Sequence, residues 1–565
     1  MTGARICGRL LVGLLPSRPR DPSGPDDAPG APMHRPRATL AASLSVALAA
    51  VGTLSCHAGP PGGPPSADVA IHGAVLAGQF PVTVGTEPLG PAPSARPAYA
   101  ARPNVVMITA DDASVDDLRH MPHVRRLVQS RGTRFDEAIA PTPICVPARA
   151  SLLTGQLAHN HGAETIRGRH GGFRSFADHD TLPTWLADAG YRTMFVGKYL
   201  NGYGSTRSRP RTYVPPGWSD WVATVDPSTY SFRRFTVNHD GRLERVRRYS
   251  TDALTGFATR LIGQASRQRR TRGTPFYLWL NYVAPHAGGP IESDDPLTRH
   301  PRHRDRLTTT VPAPRHRNDF RGVALPAKPN MFERDLRDKR NPATRRPAGW
   351  SRLDKSLVRE QHQQRLEALQ AVDEGVAKVI RRLRATGQLR RTVVVYASDN
   401  GWGVGEHNIV GKHQPYAEHS GIPLLMAGPG VPRGLRTRLL VTNPDVAATI
   451  AALAGAQPRR RELDGIDVLP WLRAGGDPQR AVPISKRGDP RGNLVYSGVK
   501  TGRWTYVRYV RGGEELFDRR RDPYELRSLA RAPRAARALA ELRRLHRALR
   551  DCAGESCMRR YYDGS

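Results

Sequence analysis

Lysine is nearly missing from this chain of 565 residues: of its 86 basic residues, 8 are lysine and 78 are arginine. Acidic residues are also in short supply, 51 Asp and Glu, which leaves a formal net charge of +35. Such an excess suits a nucleic acid, a membrane surface or another polyanion. The arginines are spread along the whole chain, however, as a coding bias would spread them. No zinc-finger spacing, RNA-binding signature or heptad repeat accompanies them, so no nucleic-acid partner is expected. The charge would still help draw in an anionic substrate.

Long hydrophobic runs are lacking too. The small apolar stretch 40–54 is too short for a transmembrane helix. It follows the basic Met33-His34-Arg35-Pro36-Arg37 and precedes Ser55-Cys56, the order of an export signal behind an N-terminal extension, with Met33 a candidate start. Cys56 stands where a lipoprotein signal is cleaved, although Thr53 replaces the usual Leu. Lipid attachment at Cys56 and simple secretion both stay open, so the expected location is exported, either free or anchored at the cell surface. Cysteines number only five: Cys7, Cys56, Cys145, Cys552 and Cys557. The last two enclose a four-residue loop and read either as a disulfide formed in an oxidising compartment or as two surface thiols.

What the chain does have is enough apolar material, 39%, for one large domain and a smaller one. Residues 1–56 read as extension and signal, 57–102 as a Gly/Pro/Ala-rich linker, 103–484 as the main domain and 485–565 as a smaller α+β subdomain. Within the main domain, short β-branched runs alternate with amphipathic stretches, which predicts an α/β fold around a large central sheet flanked by helices. Residues 287–350, rich in Arg, Pro and Asp, predict a long surface insertion. Helical spacing over 361–383 places Leu366, Leu369, Val372, Val376, Val379 and Ile380 on one side. Strand-like alternation covers 494–509, and 535–549 predicts a C-terminal helix.

Four predicted strands end in reactive residues. Residues 104–109 stop at Asp111-Asp112, 193–196 run into Gly197-Lys198, 276–280 lead to Pro285-His286, and 392–396 reach Asp399-Asn400-Gly401. Ligands of open α/β sheets lie outside the carboxyl ends of the strands, so parallel neighbours would bring these groups together. Asp111, Asp112, Asp399 and Asn400 offer only oxygen donors, suited to a hard cation such as calcium or magnesium and poorly suited to zinc. Taken singly, Asp111-Asp112 also reads as a helix N-cap and Asp399-Asn400-Gly401 as a turn. Lys198 and Lys412 both follow a Gly. In a chain that favours Arg so heavily, each is either chance or a need for a compact ammonium.

Cys145 precedes Pro147, a helix opener, and Gly155, a helix stop, so it lies near a positive helix N-terminus. Cys145-x-Pro147-x-Arg149 followed by Thr154-Gly155 resembles the signature of the type I sulfatases, and motifs matching that family run in order from Asn104 to Ala530. The resemblance implies an alkaline-phosphatase-like fold, conversion of Cys145 to formylglycine by a formylglycine-generating enzyme, and one divalent metal ion, calcium, held by Asp111, Asp112, Asp399, Asn400 and residue 145. It further implies that Arg149 holds the formylglycine, that Lys198, His286 and Lys412 surround the sulfate, and that Lys412 or His286 gives the proton to the leaving alcohol. Around Gly197-Lys198-Tyr199-Leu200-Asn201 and in the Cys552/Cys557 ending, the chain is most similar to N-acetylglucosamine-6-sulfatases and heparan endosulfatases. This implies a sulfated carbohydrate as substrate. Many sulfatases carry Gly-Lys-Trp-His where Leu200 stands here, so Asn201 or His161 is expected to replace the missing hydrogen bond, unless His159 and His161 only pack. Two rival readings stay open: a phosphatase or phosphonate hydrolase of the same superfold, and a non-catalytic surface protein that binds sulfated glycans.

Overall fold

A computed structural model describes residues 89, 102–205, 209–290, 292, 309–345 and 349–561. Cys7, Cys56, the signal and nearly all of the linker lie outside the described residues. No helix among the described residues is long and apolar enough to cross a membrane.

The β-branched runs make the strands. In chain order these are β1 (Asn104–Ala110), β2 (Gly132–Ile139), β3 (Arg192–Gly197), β4 (Asp220–Thr224), β5 (Phe235–His239), β6 (Arg242–Val246), β7 (Phe276–Asn281) and β8 (Thr392–Ser398). The short hairpin β9 (Gly403–Val404) and β10 (Val410–Gly411) follows, and then β11 (Leu424–Ala427) and β12 (Leu435–Thr442). Ten of them form one mixed sheet in the order β12-β2-β11-β8-β1-β7-β3-β4-β5-β6. Its centre, β8-β1-β7-β3-β4, is parallel throughout. Alternation along each central strand feeds two cores. Val105, Met107, Tyr277, Trp279, Val393 and Val395 face one layer, which contains the helices Cys145–Thr154 and Asn443–Ala454. Val106, Ile108, Leu278, Leu280, Val394 and Tyr396 face the other, under the helices Ser250–Arg272 and Arg352–Ala385. Burial on both faces explains why these strands read as continuous apolar runs.

The predicted helix at 361–383 is the middle of Arg352–Ala385, and its six named apolar residues are all buried. The helix is longer than its apolar stripe because Ser351 and Asp354 form a capping box ten and seven residues before position 361. A second, antiparallel sheet closes the chain: β13 (Arg480–Arg487), β14 (Leu494–Lys500), β15 (Trp504–Tyr509), β16 (Gly513–Asp518) and β17 (Arg559–Arg560), ordered β16-β15-β14-β13-β17. The helix Ala536–Leu549 packs on it through Leu539, Leu542, Leu545 and Leu549. Cys552 and Cys557 are joined in a disulfide with Cα atoms 5.0 Å apart.

The segment expected to be a surface insertion is irregular but not superficial where it is described. Asn330, Lys339, Asn341 and Thr344 are buried. The backbone N–H of Asn341 donates to Glu515 of β16 at 2.9 Å, and His407, between β9 and β10, donates its backbone N–H to the Asn330 carbonyl at 2.8 Å. Polar residues that carry no periodicity thus hold the segment between the β9-β10 hairpin and the C-terminal sheet.

Candidate active site

Because β8, β1, β7 and β3 are adjacent and parallel, their carboxyl ends open on one edge, where Asp399-Asn400, Asp111-Asp112, His286 and Lys198 follow the strands. The turn out of β3 requires glycine. Gly197 has φ 114°, and a Cβ there would lie 1.8 Å from the Asn281 carbonyl oxygen of β7. Lys198 then donates its backbone N–H to that carbonyl at 3.1 Å and points its ammonium at Asp111 Oδ2. Asp112 adopts a left-handed backbone, φ 71°, a conformation Asp tolerates and β-branched residues do not. Lys412 follows Gly411, the end of β10. Its Nζ lies 2.6 Å from Asp112 Oδ1 and 2.8 Å from Cys145 Sγ.

Cys145 is the first residue of its helix, whose C-cap is Gly155 in the left-handed conformation. Its Sγ is 3.6 Å from Asp111 Oδ1. One turn on, the buried Arg149 ties the strand ends together: Nε donates to Asp399 Oδ2 at 2.9 Å, and Nη1 donates to the Lys198 carbonyl at 2.9 Å and to Asn281 Oδ1 at 3.0 Å. His286 Nδ1 is paired with the Ala287 carbonyl at 2.7 Å, which turns Nε2 toward Asp112 Oδ2 at 3.7 Å. Asn400 Nδ2 donates to Asp112 Oδ1 at 2.7 Å. All of the expected site residues except Asn201 therefore meet in one cluster. Asn201 reaches it through Tyr230, donating Nδ2 to the phenol oxygen at 2.7 Å. His161 is engaged with Ser151 Oγ at 3.2 Å, and its Nδ1 accepts the Ala163 N–H at 3.1 Å, while His159 is paired with the Cys552 carbonyl at 2.8 Å. Both histidines are thus engaged with Ser151 and with backbone groups.

The electrostatics follow from burial against close opposite charges. Burial acts to raise the Asp111 and Asp112 carboxyls. Lys198, His286 and Arg149 outweigh it at Asp111, which is held well below the usual range, and Lys412 leads in holding Asp112 at about 2. Burial likewise opposes charge on Lys198 and Lys412, and the facing carboxylates raise both. Burial pushes the Cys145 thiol up to about 12 against the pull of the two lysines, and it lowers His286 despite Asp111 and Asp112.

Carboxylate oxygens of Asp111, Asp112 and Asp399 lie within 4.8 Å of one another. Asp112 Oδ2 and Asn400 Oδ1 are buried with no hydrogen-bond partner. Three clustered carboxylates with an unspent carboxylate oxygen and an unspent amide oxygen fit a hard, oxygen-loving cation.

Several neighbours escape sequence reasoning. Arg365, buried in the long helix, donates Nη2 to the Asp112 carbonyl and Nη1 to the Pro285 carbonyl at 3.4 Å. Its guanidinium lies 4.7 Å from the centre of the Trp402 ring. The Tyr230 ring is 4.6 Å from His286, centroid to centroid, and 5.0 Å from Lys198 Nζ. Nothing in their sequence surroundings marks either residue. Asn281, which accepts from Arg149 and from Thr109 Oγ1, ends β7 and could have been found by the rule that found the others.

Residues 103–456 match the family described as Sulfatase. A Caenorhabditis elegans homolog of the extracellular sulfatase Sulf-1 is 32% identical over 376 residues, 65% of this chain and 48% of its own length. The N-acetylglucosamine-6-sulfatase of Capra hircus is 30% identical over 386 residues, 66% of this chain and 64% of its own. This chain therefore spans about half to two thirds of the length of these relatives. A solved structure of a protein in complex with its substrate D-glucosamine-2-N,6-O-disulfate superposes with a TM-score of 0.63 at 21% identity, over 79% of this chain and 97% of that one, a likeness of fold. The fold, the order of the strand-end residues and the match over 103–456 agree: this chain belongs to the sulfatase family.

Proposed function

We propose that the protein hydrolyses sulfate esters of a sulfated carbohydrate, with N-acetylglucosamine 6-sulfate the first candidate, and that residue 145 acts after conversion to formylglycine by a formylglycine-generating enzyme. The observation that carries this reading is the position of Cys145 Sγ, 2.8 Å from Lys412 Nζ and 3.6 Å from Asp111 Oδ1, beside the oxygen cage. The sugar is supported by the N-acetylglucosamine-6-sulfatase among the relatives. Asp111, Asp112, Asp399, Asn400 and residue 145 would hold the metal, calcium in this proposal. When bound, the cation and the formylglycine would supply electrophilic polarisation of the sulfate oxygens and a nucleophilic hydroxyl.

The chain's own groups do the rest. Arg149 fixes Asp399 and the backbone of Lys198, so the cage and the first lysine keep their spacing. Lys198 and Lys412 place two ammoniums where charge develops on the sulfate oxygens. His286, held through Nδ1, or Lys412 gives a proton to the leaving alcohol. Export is proposed from the sequence at 33–56 and from the extracellular designation of the C. elegans relative. Lipid on Cys56 is a separate proposal, checked by the mass of the mature N-terminal peptide.

The test uses protein co-produced with a formylglycine-generating enzyme. Its rates on the sulfate and phosphate monoesters of one phenol are compared, and its metal content is analysed. Faster sulfate hydrolysis and one calcium per chain are expected. Faster phosphate hydrolysis would favour the phosphatase reading, and stoichiometric zinc at the cage would overturn the calcium assignment.

A further inference from the structure

A cleft of about 930 Å³ opens beside the cluster, lined by Tyr230, Ser231, Arg234, His286 and Gly288 among others. His286 belongs both to this cleft and to the cluster, so the alcohol portion of an ester held between Lys198 and Lys412 would extend into it. Tyr230 forms the shared wall. Its ring lies against His286 and under Lys198 Nζ, and its hydroxyl accepts a hydrogen bond from Asn201 Nδ2 at 2.7 Å. Two polar functions of this pair are then unspent. The phenol proton has no acceptor among the described residues, and Asn201 Oδ1 is buried with no donor. Reversing the amide changes only which atoms are free: Tyr230 would donate to the oxygen, and the Asn201 amide N–H groups would be left over. In either arrangement hydrogen-bonding capacity stays unspent on the pair, whose Tyr230 lines the cleft while Asn201 stands behind it. A buried polar atom without a partner is costly unless a ligand satisfies it.

We infer that Asn201 and Tyr230 together form a recognition site for a hydroxyl or amide group of a sugar ring next to the sulfated carbon. With its oxygen held by Asn201, the Tyr230 phenol is left to give its proton to a sugar hydroxyl or amide oxygen, each of which accepts a hydrogen bond. A simple aryl sulfate carries no such group. The pair therefore selects carbohydrate esters over aryl esters, and Tyr230 is a specificity-determining residue. The inference rests on the proposed sulfate-ester reading for the direction in which the substrate enters.

The test separates recognition from turnover. In a Cys145→Ala background, where hydrolysis is blocked, equilibrium binding of N-acetylglucosamine 6-sulfate and of 4-nitrophenyl sulfate is measured with and without Tyr230→Phe. The Phe ring keeps the contacts to His286 and Lys198 and removes only the hydroxyl. The sugar ester is expected to bind about tenfold more weakly, the scale of one lost hydrogen bond, while the aryl ester changes less than about twofold. Asn201→Leu, a second variant, is expected to show the same selective loss. Equal weakening of both esters would mean that Tyr230 only positions its neighbours, and no weakening of either would mean that the pair meets no substrate. Both results overturn the inference. In the modified enzyme with Cys145 intact, kcat/KM for the two esters gives the complementary reading. Selective binding in a protein that turns over neither ester would sink the hydrolase reading and leave the recognition site standing.

Discussion

At position 145 the chemistry depends on how many oxygens one carbon can carry. A hydrated aldehyde has two hydroxyls on the same carbon, so one can take the sulfuryl group and the other can expel it. Serine offers a single oxygen at the same place, between Lys412 and Asp111. Attack on sulfur stays possible in Cys145→Ser, but release by C–O cleavage does not. Intact-protein mass spectrometry after incubation with substrate should show a sulfate adduct on residue 145, and free alcohol should stop at about one equivalent of enzyme. Sustained turnover by the serine variant near the rate of the modified enzyme would contradict the role given to formylglycine. The residues legible in advance were those with a local marker. Asp111, Asp112, Lys198, His286, Asp399 and Asn400 all follow apolar strands, and Cys145 and Arg149 sit in a spaced motif. Arg365 and Tyr230 act from a helix interior and the end of a short 3-10 turn, through contacts made only when distant segments meet.

Among the elements, the central strands were readable because burial on both faces leaves an unbroken apolar run. The segment 309–345 was not, because its anchors are single polar side chains without a period. One of those anchors is titratable. Glu367 of the long helix accepts the Phe320 N–H at 3.2 Å, and burial raises its carboxyl from 4.5 to about 7. A carboxyl whose folded pKa lies above its unfolded value binds more protons in the folded state between those two values, so its contribution to stability is lost as pH rises through about 7. Glu367→Gln keeps an acceptor for Phe320 and never ionises. Its thermal midpoint should exceed that of the parent at pH 8, and the gap should close by pH 5. A gap that is the same at both pH values would show that Glu367 does not ionise in this window. The helix Asn443–Ala454 offers a second check. Arg480 pairs with buried Asp445, which also caps that helix. Arg480→Met strands that carboxylate and should cost about 3–5 kcal/mol in denaturant unfolding, as removing one partner of a buried ion pair does. A loss under about 1 kcal/mol would place the pair in effective contact with water.

Over the whole molecule, the C-terminal sheet is joined to the segments that follow β2 and precede β11. Ser485 of β13 donates its N–H to the Pro141 carbonyl at 3.1 Å, Lys500 of β14 donates to Ser420 Oγ at 2.8 Å, and Glu515 of β16 accepts from Tyr416 Oη at 3.1 Å. The segments that carry Cys145 and Lys412 thus rest on a frame that includes the C-terminal sheet. The excess of arginine, which suggested no particular site in the sequence, leaves the two lysines that matter most within the carboxylate cage, where Asp111 and Asp112 hold their charge against burial. The central question for the molecule is whether this assembled edge removes sulfate from a sugar. The measurement is inorganic sulfate released from N-acetylglucosamine 6-sulfate by the protein co-produced with a formylglycine-generating enzyme, beside Cys145→Ala prepared in the same way. Many equivalents of sulfate per chain from the former and none from the latter is the predicted result. Equal release by both proteins would contradict it, because hydrolysis would then proceed without residue 145.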